Sequence, residues 1–191
     1  MLFDRLLEAP TLLQVSPYFF YYVVVRRAFL NHGIDHRRAA DYVGALLSFH
    51  LQRQQGAADE PAETVYLTDL LQAVRSARSD EEVFERQTAC GNRALFLAGL
   101  FPDWIYHRHT YARRPVPLSF YEEMGRQCYG VAARTSPARR HALGDVLEFL
   151  SAEFPALRQA LNDLVDDHLH LAPRPQTVDT LCRQALYRVR N

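Results

Sequence analysis

Signals that begin and end helices recur along the whole chain, and they constrain its fold more than any other feature. Ser16-Pro17 combines a capping hydroxyl with a proline suited to the first helical position, and Gly33 stands where a left-handed C-cap belongs. The Asn-Gly and Asp-Gly dipeptides that join hairpin strands do not occur. The sequence therefore predicts an all-α fold: a single-domain bundle of about eight helices around a central buried helix.

The chain of 191 residues has the length of one domain. The interval 54–63 concentrates glycine, proline, alanine and acidic residues, which is typical of a loop. We predict an N-terminal helical hairpin over 1–54, a loop over 55–65 and a main bundle over 66–191. Later helices are expected to begin at Asp35, at Ser79 or Asp80, at Ser119, at Ser136-Pro137 (running to about residue 152) and at Pro155.

Two apolar stretches indicate the core. The stretch ALFLAGLF, residues 94–101, is apolar on every side, so it should be surrounded by other helices. The stretch YFFYYVVV, residues 18–25, favours a strand by propensity, but its flanking caps are those of a helix. We predict a helix there, and a strand would change the fold class.

Composition excludes several classes of function. The chain contains no lysine, which removes Schiff-base chemistry and the P-loop lysine. The 22 arginines balance 22 acidic residues, so the basic footprint of a nucleic-acid binder is missing. The run 18–25 is too short to span a bilayer, and the N-terminus lacks the layout of a signal peptide. Three unpaired-looking cysteines are typical of the reducing cytoplasm. We therefore expect a cytoplasmic protein that binds neither nucleic acid nor membrane.

Polar residues around the apolar stretch are the best candidates for a ligand site. Arg93 or Arg126 could hold an anion, and His107 or Glu122 could move a proton. Alternatively, Glu122 could pair with a buried Arg93, or with Arg126 one helical turn away, and tie helices together. The candidate ligand-binding residues are Asn92, Arg93, Trp104, His107, Glu122, Arg126 and Tyr129.

A metal site is a third possibility. Asp163, Asp167 and His170 follow one another at four- and three-residue intervals, which places metal-ligand types on one helical face. The Glu-x-x-His pattern of di-iron bundles is absent, and an acidic solvated face explains the same spacing.

No complete catalytic or cofactor motif occurs, and Cys90 and Cys128 lie among apolar neighbours that raise a thiol's pKa. We therefore expect no catalytic residue and no cofactor. The predicted function is a non-catalytic helical binding or regulatory module that contacts a protein partner or forms a homodimer, because aromatic residues such as those of 18–22 suit an interface. The alternatives are a binder of a small anionic ligand, or an enzyme, using 92–129, and a metal-binding helical bundle.

Overall fold

The computed structural model describes residues 16–56, 72, 74–103, 105–106 and 116–166. The all-α class is confirmed, and these residues form seven helices without a strand. The helices are α1 (Pro17–Asn31), α2 (Arg37–Gly56), α3 (Asp80–Leu100), α4 (Leu118–Ala133), α5 (Ser136–Arg140), α6 (Gly144–Ala152) and α7 (Phe154–Leu164). None of the helices in these ranges combines the length and the apolar character that a membrane span requires.

The first helix forms as its caps predict. The Ser16 hydroxyl accepts a hydrogen bond from the Phe19 amide at 3.2 Å, and Gly33 adopts a φ of +72° just beyond the helix end. The valines at 23–25 are buried against the core, so tertiary packing and capping outweigh the β-propensity of this stretch. The prediction of a helix over 18–25 is confirmed.

Other helix boundaries differ from the sequence prediction. His36, rather than Asp35, caps α2, because its Nδ1 accepts from the Ala39 amide at 3.0 Å while Asp35 pairs with Arg26. The first residue of α4 is Leu118, ahead of the predicted Ser119 cap. The predicted helix from 136 to 152 is interrupted between α5 and α6, where Ala142 has a φ of +53°. A left-handed residue cannot continue an α-helix.

Helix α3 lies at the centre of the described bundle. It packs most extensively on α4, and also contacts α7, α5 and α2. Its C-terminal half, including Leu95 and Phe96, is almost completely buried, which confirms the expectation drawn from the apolar stretch.

The first two helices do not stand apart from the rest. Helix α1 packs against α7 as well as α2, and α2 contacts α6. Helix α2 extends to Gly56, beyond the predicted start of the loop over 55–65, and residues 57–65 lie outside the described residues.

Candidate functional site

Asn92 joins three helices through one side-chain oxygen. Its Oδ1 accepts a hydrogen bond from the Tyr42 hydroxyl of α2 at 2.8 Å and another from the Tyr129 hydroxyl of α4 at 2.9 Å. Tyr129 is fully buried. The close approach of α3 and α4 depends on Gly91, where a Cβ would lie 2.8 Å from the Tyr129 ring. Two of the predicted ligand residues, Asn92 and Tyr129, are thus brought together.

Both tyrosines of this cluster are held in their neutral form. Burial raises the pKa of Tyr42 to about 12. Burial also raises the pKa of Tyr129 well above its usual value. At neutral pH both hydroxyls therefore act as hydrogen-bond donors to Asn92, and neither is a proton-transfer group near its working range.

A groove of about 330 Å³ runs beside this cluster between α2 and α3. The residues that line it are largely apolar, and they include Phe49, which is 56 % exposed. His50 packs its ring over Phe96 with 4.6 Å between centroids. The groove can accommodate an apolar group and offers a few polar atoms for orientation. Its lining residues are Tyr42, Ala45, Leu46, Phe49, His50, Ala89 and Asn92.

Arg93, next to Asn92 on α3, does not join this cluster. Its Nε is buried and has no hydrogen-bond partner, and burial lowers the pKa of the guanidinium while the neighbouring Tyr121 raises it. Among the described residues no carboxylate forms an ion pair with Arg93. Leaving a guanidinium donor unpaired away from water costs free energy, so an anion at this position would be stabilising.

Glu122 is bound by a different arginine. Its Oε1 accepts from Arg158 Nε of α7 at 2.6 Å, and the two side chains are only 24 % and 17 % exposed. Arg158 also donates to Asn162, whose amide binds the carbonyl oxygens of Ala98 and Gly99 on α3. The pair thus ties α4 and α7 to the central helix, and the partner of Glu122 is Arg158 and not Arg93.

Arg126 lies on an exposed face of α4. It donates to Glu123 at 3.3 Å and to the backbone oxygen of Ser151 at 3.4 Å, so it pairs with Glu123 and not with Glu122. Asn92, Glu122 and Arg126 therefore lie in three separate places. The ring of Phe154 packs on α4 between Glu122 and Tyr129 in sequence, since it lies 6.2 Å from the Tyr129 ring and against Gly125.

The remaining ligand candidates, Trp104 and His107, lie outside the described residues. Described residues on either side of Trp104 line a second hollow of about 520 Å³ between the end of α3 and the start of α4, together with residues of the α4 start. The lining residues of this hollow are Pro102, Asp103, Tyr106, Pro117, Leu118 and Ser119.

Of the metal candidates, only Asp163 is described. Its Oδ2 lies 2.8 Å from His32 Nε2, and its Oδ1 accepts from Gln159 at 3.1 Å. Asp167 and His170 lie outside the described residues, and within those residues no three His, Cys, Asp or Glu side chains form a metal-binding group. The metal site stays a prediction.

Sequence reasoning missed Tyr42, Arg158 and Asn162. Periodicity places Tyr42 on α2, but no local pattern gives the contact with Asn92, fifty positions away. The Arg158 and Asn162 spacing of one helical turn was a readable signal of a shared face, and the structure uses it for their hydrogen bond at 2.6 Å.

Comparison with protein-family models, with curated proteins and with solved structures finds no match to this chain.

Proposed function

We propose that this chain is a non-catalytic helical module that works in the cytoplasm by contacting a protein partner or a second copy of itself. One observation carries the proposal. Of the six large hydrophobic side chains exposed in the described part of the chain, four lie on α1 and α2. These are Tyr18 (42 % exposed), Phe19 (44 %), Leu30 (48 %) and Phe49 (56 %).

The placement of these side chains favours an interface. Phe19 and Leu30 are eleven residues apart on α1, which is about three helical turns, so they share one face. Phe49 stands over the groove between α2 and α3. Aromatic and aliphatic side chains concentrated on neighbouring helices are typical of contact surfaces, whereas scattered ones need no explanation.

The polar residues support the same proposal. The hydroxyls of Tyr42 and Tyr129 both donate to Asn92, and Arg158 donates to Glu122. Tyr42 and Asn92 line the groove between α2 and α3, whereas Glu122 and Arg158 are not among its lining residues. A shared acid–base site needs its groups within hydrogen-bond reach of one substrate.

The test is the molar mass in solution over a range of concentrations, from light scattering and sedimentation velocity. We expect a mass above the 22.0 kDa of one chain that rises with concentration. Phe19→Ser and Phe49→Ser should each lower it. The matched control is Val131→Ser on α4, which removes a side chain of comparable exposure (40 %) from another surface. A mass of one chain at every concentration would refute self-association.

A second candidate function, binding of a small anion, is favoured by Arg93, whose buried Nε has no hydrogen-bond partner among the described residues. Inorganic phosphate is then expected to raise the melting temperature of the protein and to have no such effect on Arg93→Met. Arg126→Met is the control, because Arg126 is exposed and already paired. Equal phosphate effects on all three proteins would exclude Arg93 as the binding residue.

A further inference from the structure

Cys90 and Cys128 form a buried thiol pair that neither proposed function uses. Both cysteines are free, and their exposures are 0 % and 3 %. Cys90 lies on α3 and Cys128 on α4, and the two side chains hydrogen-bond each other. Within the described part of the chain, each of these cysteines is therefore the thiol partner of the other.

The register of the two helices accounts for this contact. Near the start of α3, Asp80 accepts from the Ser136 amide just beyond the end of α4, so the helices run antiparallel. One residue after Cys90, Gly91 packs against the Tyr129 ring, one residue after Cys128. In antiparallel helices the facing position moves back along one helix as it moves forward along the other, so these two contacts place the α4 positions that face Cys90 within 126–130, an interval that includes Cys128. Gly91 keeps the helices close, which a disulfide between them requires.

The two sulfurs are chemically distinct. The hydrogen bond from Cys128 lowers the pKa of Cys90 against the opposing effect of burial. The pKa of Cys128 is raised by the same contact and by burial. Apolar surroundings raise the pKa of both thiols as expected, but the net direction expected for Cys90 is wrong, because the contact with Cys128 on the facing helix outweighs burial there. The thiolate is the reactive form of cysteine, so Cys90 is the better nucleophile.

We propose that Cys90 and Cys128 are a redox-active dithiol, a site of reversible intramolecular disulfide formation by hydroperoxides. Cys90 Sγ attacks a peroxide oxygen, the O–O bond breaks, and a sulfenic acid and one molecule of water form with hydrogen peroxide as oxidant. Cys128 Sγ then attacks the Cys90 sulfur and displaces the sulfenic oxygen as a second water. The two thiols are oxidised to one disulfide and the peroxide is reduced to two waters. Burial restricts the site to small oxidants that enter through local opening of the helices.

The experiment uses the full chain with Cys182→Ser, so that only the two proposed cysteines remain. The folded protein is treated with hydrogen peroxide, unfolded in the presence of N-ethylmaleimide, and digested with trypsin. Cleavage after arginine releases Cys90 in QTACGNR, residues 87–93, and Cys128 in QCYGVAAR, residues 127–134. We expect these two peptides joined by a disulfide in monomeric protein, the loss of both free thiols, and their full recovery with dithiothreitol.

Three results would overturn the proposal: both cysteines recovered as maleimide adducts, disulfides only between chains, or separate sulfinic acids on each residue. A second variant tests the assigned roles. With Cys128→Ser added, Cys90 has no resolving thiol, so peroxide should leave a sulfenic acid on Cys90 that dimedone captures. With Cys90→Ser instead, much less dimedone adduct is expected on Cys128, and equal labelling in the two variants would contradict the roles. The disulfide measurement on Cys182→Ser does not depend on whether these double variants fold.

Discussion

Replacing Asn92 with alanine removes the one acceptor that two tyrosine hydroxyls share. Tyr129 is fully buried, so its hydroxyl loses its partner without access to water, which costs about 1–3 kcal/mol. Tyr42 lines the groove, where water can replace the lost acceptor, and its loss costs about 0.5–1 kcal/mol. Alanine recovers about 0.5 kcal/mol because it is a better helix former than asparagine. The expected net loss in the free energy of unfolding is about 2 kcal/mol, and the melting temperature should fall by about 4–8 °C.

The assay is equilibrium unfolding in urea, followed by far-ultraviolet circular dichroism. Gln127→Ala is the control, because Gln127 is an exposed side chain of α4 that bonds only within its own helix, and its replacement should change stability by less than about 0.5 kcal/mol. Urea midpoints should separate the two variants clearly.

A double-mutant cycle makes the reasoning refutable. Tyr129→Phe removes the buried hydroxyl, so in the Asn92→Ala background no unpaired donor remains there. The double variant should be more stable than the sum of the single losses predicts, by about 1 kcal/mol or more. If the two losses simply add, the hydrogen bond between Tyr129 and Asn92 does not carry the stability assigned to it.

Three further outcomes follow from the packing and the titration of the core. Burial raises the pKa of Tyr42 to about 12 from a usual value of 10.0. The contribution of the neutral Tyr42 hydroxyl to stability is therefore complete below pH 10.0 and is lost as the pH rises toward about 12. Tyr42→Phe should make this decline shallower, as measured by urea midpoints between about pH 9 and 11. Gly125→Ala should destabilise the fold by about 1–3 kcal/mol in spite of its helix propensity, because its Cβ would lie 2.1 Å from the Phe154 ring; an unchanged melting temperature would contradict this packing. Glu122→Gln should cost about 2 kcal/mol in urea unfolding, and the loss should be largely recovered when Arg158 is also changed to Met; without recovery, the pair is not the cause.

The boundaries that the sequence predicts well are those set by local chemistry. Ser16-Pro17 and Gly33 act on the backbone within a few residues, and they define α1 as expected. Asp35 has the same capping chemistry, but Arg26 of the preceding helix binds its carboxylate, and His36 caps α2 instead. The break between α5 and α6 occurs at Ala142, which has a positive φ although it is not a glycine, so the sequence does not indicate it. Contacts between helices therefore determine which capping signals in the sequence are used in the structure.

The candidate site was predicted in part for a related reason. Asn92 and Tyr129 are predicted from their residue types and their nearness in sequence to the apolar stretch, and the structure joins them by a hydrogen bond. Helical periodicity shows which residues share a face of one helix. It does not give the register between two helices. The contacts of Tyr42 with Asn92, of Arg158 with Glu122 and of Cys90 with the facing thiol all depend on that register.

The position of Phe154 has a consequence for any activity of the described bundle. Glu122 and Tyr129 are seven residues apart on α4, which is about two turns or 10 Å along the helix. Phe154 is fully buried, packs on Gly125 between them, and lies 6.2 Å from the Tyr129 ring. Neither Phe154 nor Glu122 is among the residues that line the Asn92 groove, so a ligand in the groove does not contact the Glu122 carboxylate. Changing Glu122 should alter stability without altering what the groove binds, whereas a shared site would couple the two effects.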